Sequence, residues 1–212
     1  METFNVESIL KRKDPYREDR ELIKFCLILL VVFLFLSTII SANFINVKVV
    51  GASMENTLHN GDVLIVKTGA KISYGDIIII DNKKPNEYIV KRVIGLGGDT
   101  IEIKDGNVYR NGELLDESAY VKKVNGVTVN TSATGGNSDF TIKKTWVLKA
   151  NEIFFLGDNR INSTDSRAES YGPCVYSDVV GVIPKWSYNI KGVTTAWHKA
   201  IEKVKGFLFG GR

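Results

Sequence analysis

The sequence predicts a mainly β protein: an antiparallel β-sheet domain with one transmembrane helix before it and an amphipathic helix after it. Three observations carry that expectation. The run FCLILLVVFLFLSTII, residues 25–40, is apolar almost throughout. Past residue 45 the pattern changes to short Val- and Ile-rich segments punctuated by glycine, with almost no helical period between them. From Val193 the apolar residues return to helical spacing. The implied boundaries are 1–21 for a cytoplasmic N-terminal segment, 22–43 for the span, 44–185 for an extracytoplasmic β-rich domain and 186–212 for the tail.

The span comes first. With Leu22, Ile23 and the following SANFI it gives roughly 23 residues, about 35 Å as a helix, enough to cross a bilayer. Lys11, Arg12, Lys13, Arg17, Arg20 and Lys24 precede it, and after it Lys48 is the only basic residue until Lys67. That bias places the N-terminus in the cytoplasm and the rest of the chain outside. A cleaved secretory signal is the competing reading. Its apolar core would be long, and its exit lacks a small-x-small site, because Ile39 stands two before Ser41 and Ile40 two before Ala42. A retained anchor is expected.

The β-rich domain follows. VKVV, DVLIVK, YGDIIIID, EYIVKRVIG, DTIEIK, NVYR, EIFFLGD and DVVGVIP read as strands. Asp105-Gly106 stands between two alternating runs, a tight-hairpin signal. Strands this frequent argue an antiparallel domain. Residues 118–140, rich in Ser, Thr, Asn and Gly, read as a long, exposed, partly flexible excursion. In the tail, Val193, Ala196, Trp197, Ala200, Ile201, Val204 and Leu208 follow helical spacing, with Lys199, Lys203 and Lys205 on other faces. Two readings stay open there: a terminal helix packed on its own domain, or a basic amphipathic helix lying on the membrane surface.

Composition narrows the function. A hydrophobic share of 44% and a charged share of 25% belong to a foldable chain. The net charge of +4 is modest and its basic residues are spread out, so no nucleic-acid stripe is present. Cys26 lies in the apolar run, far from Cys174, which argues against a disulfide and leaves no CxxC site.

One segment suggests chemistry. GASMENTLHNGD, residues 51–62, presents Ser53 just past the apolar VKVV. A serine hydroxyl needs a base to act as a nucleophile. His59 is six residues on, beside a turn, and His198 sits among lysines in the tail, so neither is a convincing base. With no carboxylate at ligand spacing they make no metal site, and no cofactor is expected. Lysine is the other candidate. Lys91 interrupts the apolar strand YIVKRVIG, where alternation puts Ile89, Lys91 and Val93 on one face and Val90, Arg92 and Ile94 on the other. On an inward face Lys91 would lose solvation and become a neutral amine. Alternation alone does not say which face is inward.

GASMENTL, YGDIIIID, YIVKRVIGLGGDTI and GDNRINSTDSR occur in the order and at about the spacing of the four boxes of type I signal peptidase. The chain resembles that family, in its short Gram-positive form, over roughly residues 15–185. The resemblance implies a Ser–Lys dyad on an antiparallel β scaffold of signal-peptidase type, with Ser53 as nucleophile and Lys91 as general base. It further implies that Ser163 hydrogen-bonds and orients Lys91, that Asp165, Arg167 and Arg92 form a supporting ionic cluster, and that Gly157 keeps the floor near the lysine open. Val49, Val90 and Met54 would line the substrate site, with the first two shaping shallow pockets for small residues of a signal peptide bound as an added strand.

By the same resemblance the oxyanion would rest on the Ser53 N–H, since the side-chain hydroxyl some members carry two residues earlier is replaced here by Gly51. Partners would be signal peptides of exported preproteins, cytoplasmic-membrane lipid and the protein-export machinery, with no nucleic acid. Two positions depart from the family's pattern: Asn56 and Gly97 stand where proline is usual, which should soften those loops. Self-cleaving repressors share a Ser–Lys dyad, but the span and the GDNRINSTDSR box argue against them. A non-catalytic domain that binds signal peptides without cutting is the non-enzymatic alternative.

Overall fold

Helix α1, Arg17–Asn43, takes in the whole apolar run. Its 27 residues make a rod about 40 Å long, and none of them is buried. Glu18 and Asp19 lie in its first turn, where carboxylates complement the helix dipole. The computed structural model describes residues 16–83, 87–121, 123–124, 127–128, 144–168 and 171–209. Residues 1–43 and 44–212 form two separate compact units.

The second unit is built from antiparallel strands: β1 (Phe44–Lys48), β2 (Val63–Thr68), β3 (Ile77–Asp81), β4 (Tyr88–Gly95), β5 (Thr100–Lys104), β6 (Asn107–Arg110), β7 (Glu113–Leu114), β8 (Lys123–Val124), β9 (Val127–Thr128), β10 (Lys144–Val147), β11 (Glu152–Leu156), β12 (Cys174–Val175) and β13 (Val179–Ile183). The main sheet runs β1-β2-β13-β3-β4-β11-β12, a second runs β10-β5-β6-β7, and β8 pairs with β9. Every expected strand segment is present, although VKVV pairs from Phe44 rather than through Val50. Asp105 and Gly106 turn β5 into β6, both at positive φ (51° and 78°), as a primed hairpin turn requires. The short strands β7, β10 and β12 were not expected. Nor was the β8–β9 pair, which falls within the segment read as an excursion. The start of that segment is packed down, with Val121 buried. Most of 125–140 lies outside the described residues.

Four consecutive isoleucines explain the core. Ile77 and Ile79 join Val49, Met54, Leu58, Leu64, Val66 and Ile183 on one face of the main sheet. Ile78 and Ile80 join Val93, Ile153, Phe155 and Val182 on the other. A strand covered on both faces reads as a continuous apolar run rather than an alternation. A third cluster, including Ile94, Ile101, Leu148 and Phe154, is capped by Trp146, whose ring lies 4.8 Å from that of Phe154.

Helices α2 (Lys185–Asn189) and α3 (Lys191–Phe209) close the chain. They fill a gap in the sheet. Strand β13 pairs with β2 only at Lys67 and Thr68, so Val63 and Ile65 need other partners. The Ile65 N–H donates to Ser187 Oγ (2.8 Å) and the Val63 N–H to Thr195 Oγ1 (2.9 Å). The Thr194 hydroxyl donates to the Val63 carbonyl.

Candidate active site

Ser53 sits in a single tight turn beyond β1. The Glu55 N–H donates to the Ala52 carbonyl and the Leu58 N–H to that of Met54, which rolls the Ser53 hydroxyl out while Met54 and Leu58 turn into the core. Gly51 enters the turn at φ +91°, a left-handed conformation that a side chain strains. Asn159 clamps the turn from across the site: its N–H donates to the Ser53 carbonyl and its Nδ2 to that of Ala52, both at 3.0 Å. The Ser53 N–H donates to no group among the described residues.

Lys91 comes from β4, where the sheet is covered on both faces. That answers what alternation left open, because Lys91 and Arg92 are both buried, at 4% and 7% exposure. The Lys91 Nζ lies 2.8 Å from Ser53 Oγ and 3.1 Å from the Val90 carbonyl oxygen. Burial lowers its pKa from 10.5 to about 8, against the opposing pull of Asp165 and Asp158.

The charges around this pair are sorted differently from the expectation. Asp165 and Arg167 do pair, at 2.7 and 2.8 Å, and both are buried. Arg92 does not join them. It grips Asp158 through Nε (2.8 Å) and Nη2 (2.7 Å), donates to the Gly75 carbonyl and lies 4.3 Å from the Tyr120 ring. The reason is the strand period: neighbours on β4 point to opposite faces, so Arg92 turns to Asp158 and not to the Asp165–Arg167 pair. Asp165 is held below the usual carboxylate range; burial would raise it, but the Arg167 bonds and the Gly157 N–H outweigh that.

Ser163 also departs from expectation. Its hydroxyl is buried and makes no well-formed hydrogen bond to Lys91, which is held by Ser53 and Val90 instead. Gly157 is where it was expected to matter, since a Cβ there would overlap Ser163 and the Ser53 carbonyl. His59 is exposed and faces Lys191, 3.5 Å away, not Ser53.

A cavity of about 500 Å³ opens beside the pair. Val49, Met54 and Val90 line it, together with Val47, Val50, Tyr88, Ile89 and Tyr171. Val49 and Met54 also belong to the core, so the groove wall is rigid. Sequence reading missed several supporting groups: Asp158, Asn159, Thr57 and the buried Arg160–Glu117 pair (2.7 and 2.5 Å). The first two lie inside GDNRINSTDSR, where their charge and amide were a legible signal. Glu117 stands just before the excursion and Tyr120 inside it, and neither gave one. Gly97 does not leave a slack loop: a Cβ there would overlap the Ala150 backbone, so glycine permits a close crossing.

The family described as signal peptidase, peptidase S26, matches residues 20–187. Signal peptidase I V of Bacillus subtilis (strain 168) is 35% identical over 146 residues, 68% of this chain and 85% of that one. Signal peptidase I P of Bacillus subtilis subsp. natto is 35% identical over 164 residues, 76% and 84% of the two chains. A crystal structure of a signal peptidase I from Enterococcus faecalis V583 is 27% identical and covers 54% of this chain and 98% of its own, with a TM-score of 0.39. The antiparallel sheets between an apolar N-terminal helix and C-terminal helices are thus the scaffold of a serine peptidase, and the chain belongs to the signal peptidase family, peptidase S26.

Proposed function

We propose that the chain is a membrane-anchored endopeptidase that removes signal peptides from exported preproteins, with Ser53 as nucleophile and Lys91 as general base. One observation carries this: the 2.8 Å approach of Nζ to Oγ, made by a lysine only 4% exposed. With a pKa of about 8, roughly a tenth of Lys91 is neutral at pH 7, against about three molecules in ten thousand at 10.5.

Neutral Lys91 takes the Ser53 proton as Oγ attacks the scissile carbonyl. The Ser53 N–H receives the developing oxyanion, and Gly51 adds no side-chain donor to help it. The Lys91 ammonium then gives its proton to the departing amine, and a water activated by the same lysine hydrolyses the acyl-enzyme. The signal peptide lies extended in the groove, its small residues against Val49 and Val90 and its backbone pairing as an added strand. Asp165–Arg167 and Arg92–Asp158 hold the walls, and Gly157 lets Ser163 and the Ser53 turn approach.

Helix α1 is the anchor; an 18-residue window in it has a mean hydropathy of 2.8. The basic residues before it support an N-terminus in the cytoplasm and a 44–185 domain on the outer face of the cytoplasmic membrane, within reach of the export machinery. The test is cleavage of a purified preprotein by the wild type beside Ser53→Ala and Lys91→Ala. Each variant should lose activity with its circular dichroism unchanged, and the double variant should be no worse than either. Substantial turnover by Lys91→Ala would remove the lysine from the mechanism.

A further inference from the structure

Helix α3 lies on the β domain with its polar side inward. Lys191, Thr194, Thr195 and His198 are half-buried there. The two threonines bond Val63, and Lys191 reaches the Thr57 carbonyl at 2.7 Å and Asp62 at 3.1 Å. Residues on a helix advance by about 100° each, so Val193, Trp197, Ile201 and Val204 share an arc of about 80° that leaves out all four of those residues. Val193, Trp197 and Val204 are 71%, 69% and 56% exposed. A terminal helix that served only to finish the domain would turn this stripe inward and its threonines out. Here the stripe is turned out to solvent, and the domain is satisfied by hydroxyls that complete the β2 ladder.

The chemistry of the stripe and its rim points to one occupant. Trp186 and Ile190, 47% and 40% exposed, extend it into α2. Indole rings with an apolar body and an N–H edge favour the headgroup level of a bilayer. Lys199 and Lys203 border the stripe and are exposed, outside the Lys205–Glu202 pair, so cations rim an apolar face that carries no carboxylate. Phe44, the first residue past the apolar run of α1, packs its ring 6.3 Å from that of Trp186. The start of the tail therefore lies beside the residue at which the chain leaves its span.

We propose that the outward stripe of α3, continued by Trp186 and Ile190, docks on the anionic lipid surface of the membrane in which α1 is anchored, tying the catalytic domain to the bilayer at a second point. The inference rests on α1 as the anchor but not on the dyad. The basic rim supplies the electrostatic attraction and the stripe the burial, as for other interfacial helices.

The experiment uses the full chain in vesicles of phosphatidylcholine and phosphatidylglycerol. Trp146→Phe with Trp186→Phe leaves Trp197 as the reporter. Its emission should be blue-shifted, quenched by lipid brominated in the upper acyl chain and shielded from iodide. Quenching by iodide with no response to brominated lipid would overturn the proposal. So would protection from both, which would mean that protein, a second copy or another segment, covers the stripe. Because Trp146 packs on Phe154, a second reporter keeps it intact: an environment-sensitive dye on Val204→Cys in a Cys26→Ser, Cys174→Ser background. Vesicles of phosphatidylcholine alone should lower the docked-to-free ratio by about fivefold per rim lysine. Equal docking on both lipids would overturn the choice of an anionic surface. Resistance to carbonate extraction reads α1 separately, so failure of the anchor is distinguishable from failure of the stripe.

Discussion

Replacing Lys91 by methionine keeps the length of the side chain and removes its charge, and the sign of the outcome follows from its buried setting. The lysine pKa falls from 10.5 to about 8 on folding, a difference worth about 3 kcal/mol at 1.36 kcal/mol per unit. Because the folded value is the lower one, the unfolded chain holds more protons between about 8 and 10.5, and stability rises with pH across that window. Below it, at pH 7, nearly the whole penalty is present. Methionine removes the penalty but also forfeits the contacts to Ser53 Oγ and the Val90 carbonyl, both near solvent, at about 1 kcal/mol together. Lys91→Met should therefore be inactive yet more stable than wild type by about 2 kcal/mol at pH 7, with the gain shrinking to about zero near pH 10. Urea unfolding of the full chain in micelles, followed by circular dichroism at both pH values, reads this difference. Groups such as Tyr120, whose pKa burial pushes well above the usual phenol value, cancel between the two proteins. A Lys91→Met protein that is less stable than wild type at pH 7 would refute the claim that a desolvated ammonium sits at this site.

Wild-type activity should rise along its acid limb with a single deprotonation near pH 8, the value to which burial brings Lys91; a limb governed by a group near 6 would point to histidine. Glu117→Ala leaves the fully buried Arg160 without its carboxylate and should cost about 3–5 kcal/mol in urea unfolding. A loss too small to measure would mean that the pair is not structural. Gly97→Ala puts a methyl against the Ala150 backbone and should lower stability by about 1–3 kcal/mol, and Gly97→Pro, although proline is usual there in relatives, should fare no better. An unchanged melting temperature would show that the crossing is looser than the geometry implies. Protease added outside intact spheroplasts should cut within the 44–185 domain and spare 1–20, and protection of that domain beside cleavage within 1–20 would reverse the orientation.

How much of this was legible depends on how local each signal is. The strand YIVKRVIG, the Asp105-Gly106 turn and the apolar run of α1 are written in consecutive residues, and all three form as read. Strands β7 and β12 have two residues each, too few to show any period, and exist only because longer neighbours offer them an edge. The face of Lys91 could not be read because β4 has no solvent face at that point: the core covers it on both sides. Glu117 and Arg160 are 43 residues apart, and nothing in a sequence marks two distant charges as partners before the fold brings them together. The roll of α3 is hidden for the same reason, since the backbone groups on β2 that call for its threonines are orphaned only once β13 pairs short.

The sorting of charges around Ser53 and Lys91 bears directly on whether the lysine can be a base. A buried ammonium beside two carboxylates would ordinarily stay charged, because each carboxylate favours the protonated form. Asp165 and Asp158 do pull in that direction. Their oxygens, however, are already engaged. Asp158 is held by Arg92 and by the Thr57 hydroxyl, and Asp165 by Arg167 and the Gly157 N–H. Each negative charge is largely offset by its own guanidinium, and Arg167 itself opposes the lysine's charge. Desolvation then wins, and the pKa settles at about 8 instead of returning to 10.5. On this account the two arginines do more than brace the walls. Removing Arg167 or Arg92 would free a carboxylate to hold the ammonium, raising the lysine's pKa and moving the acid limb of activity to higher pH even in a variant that still folds.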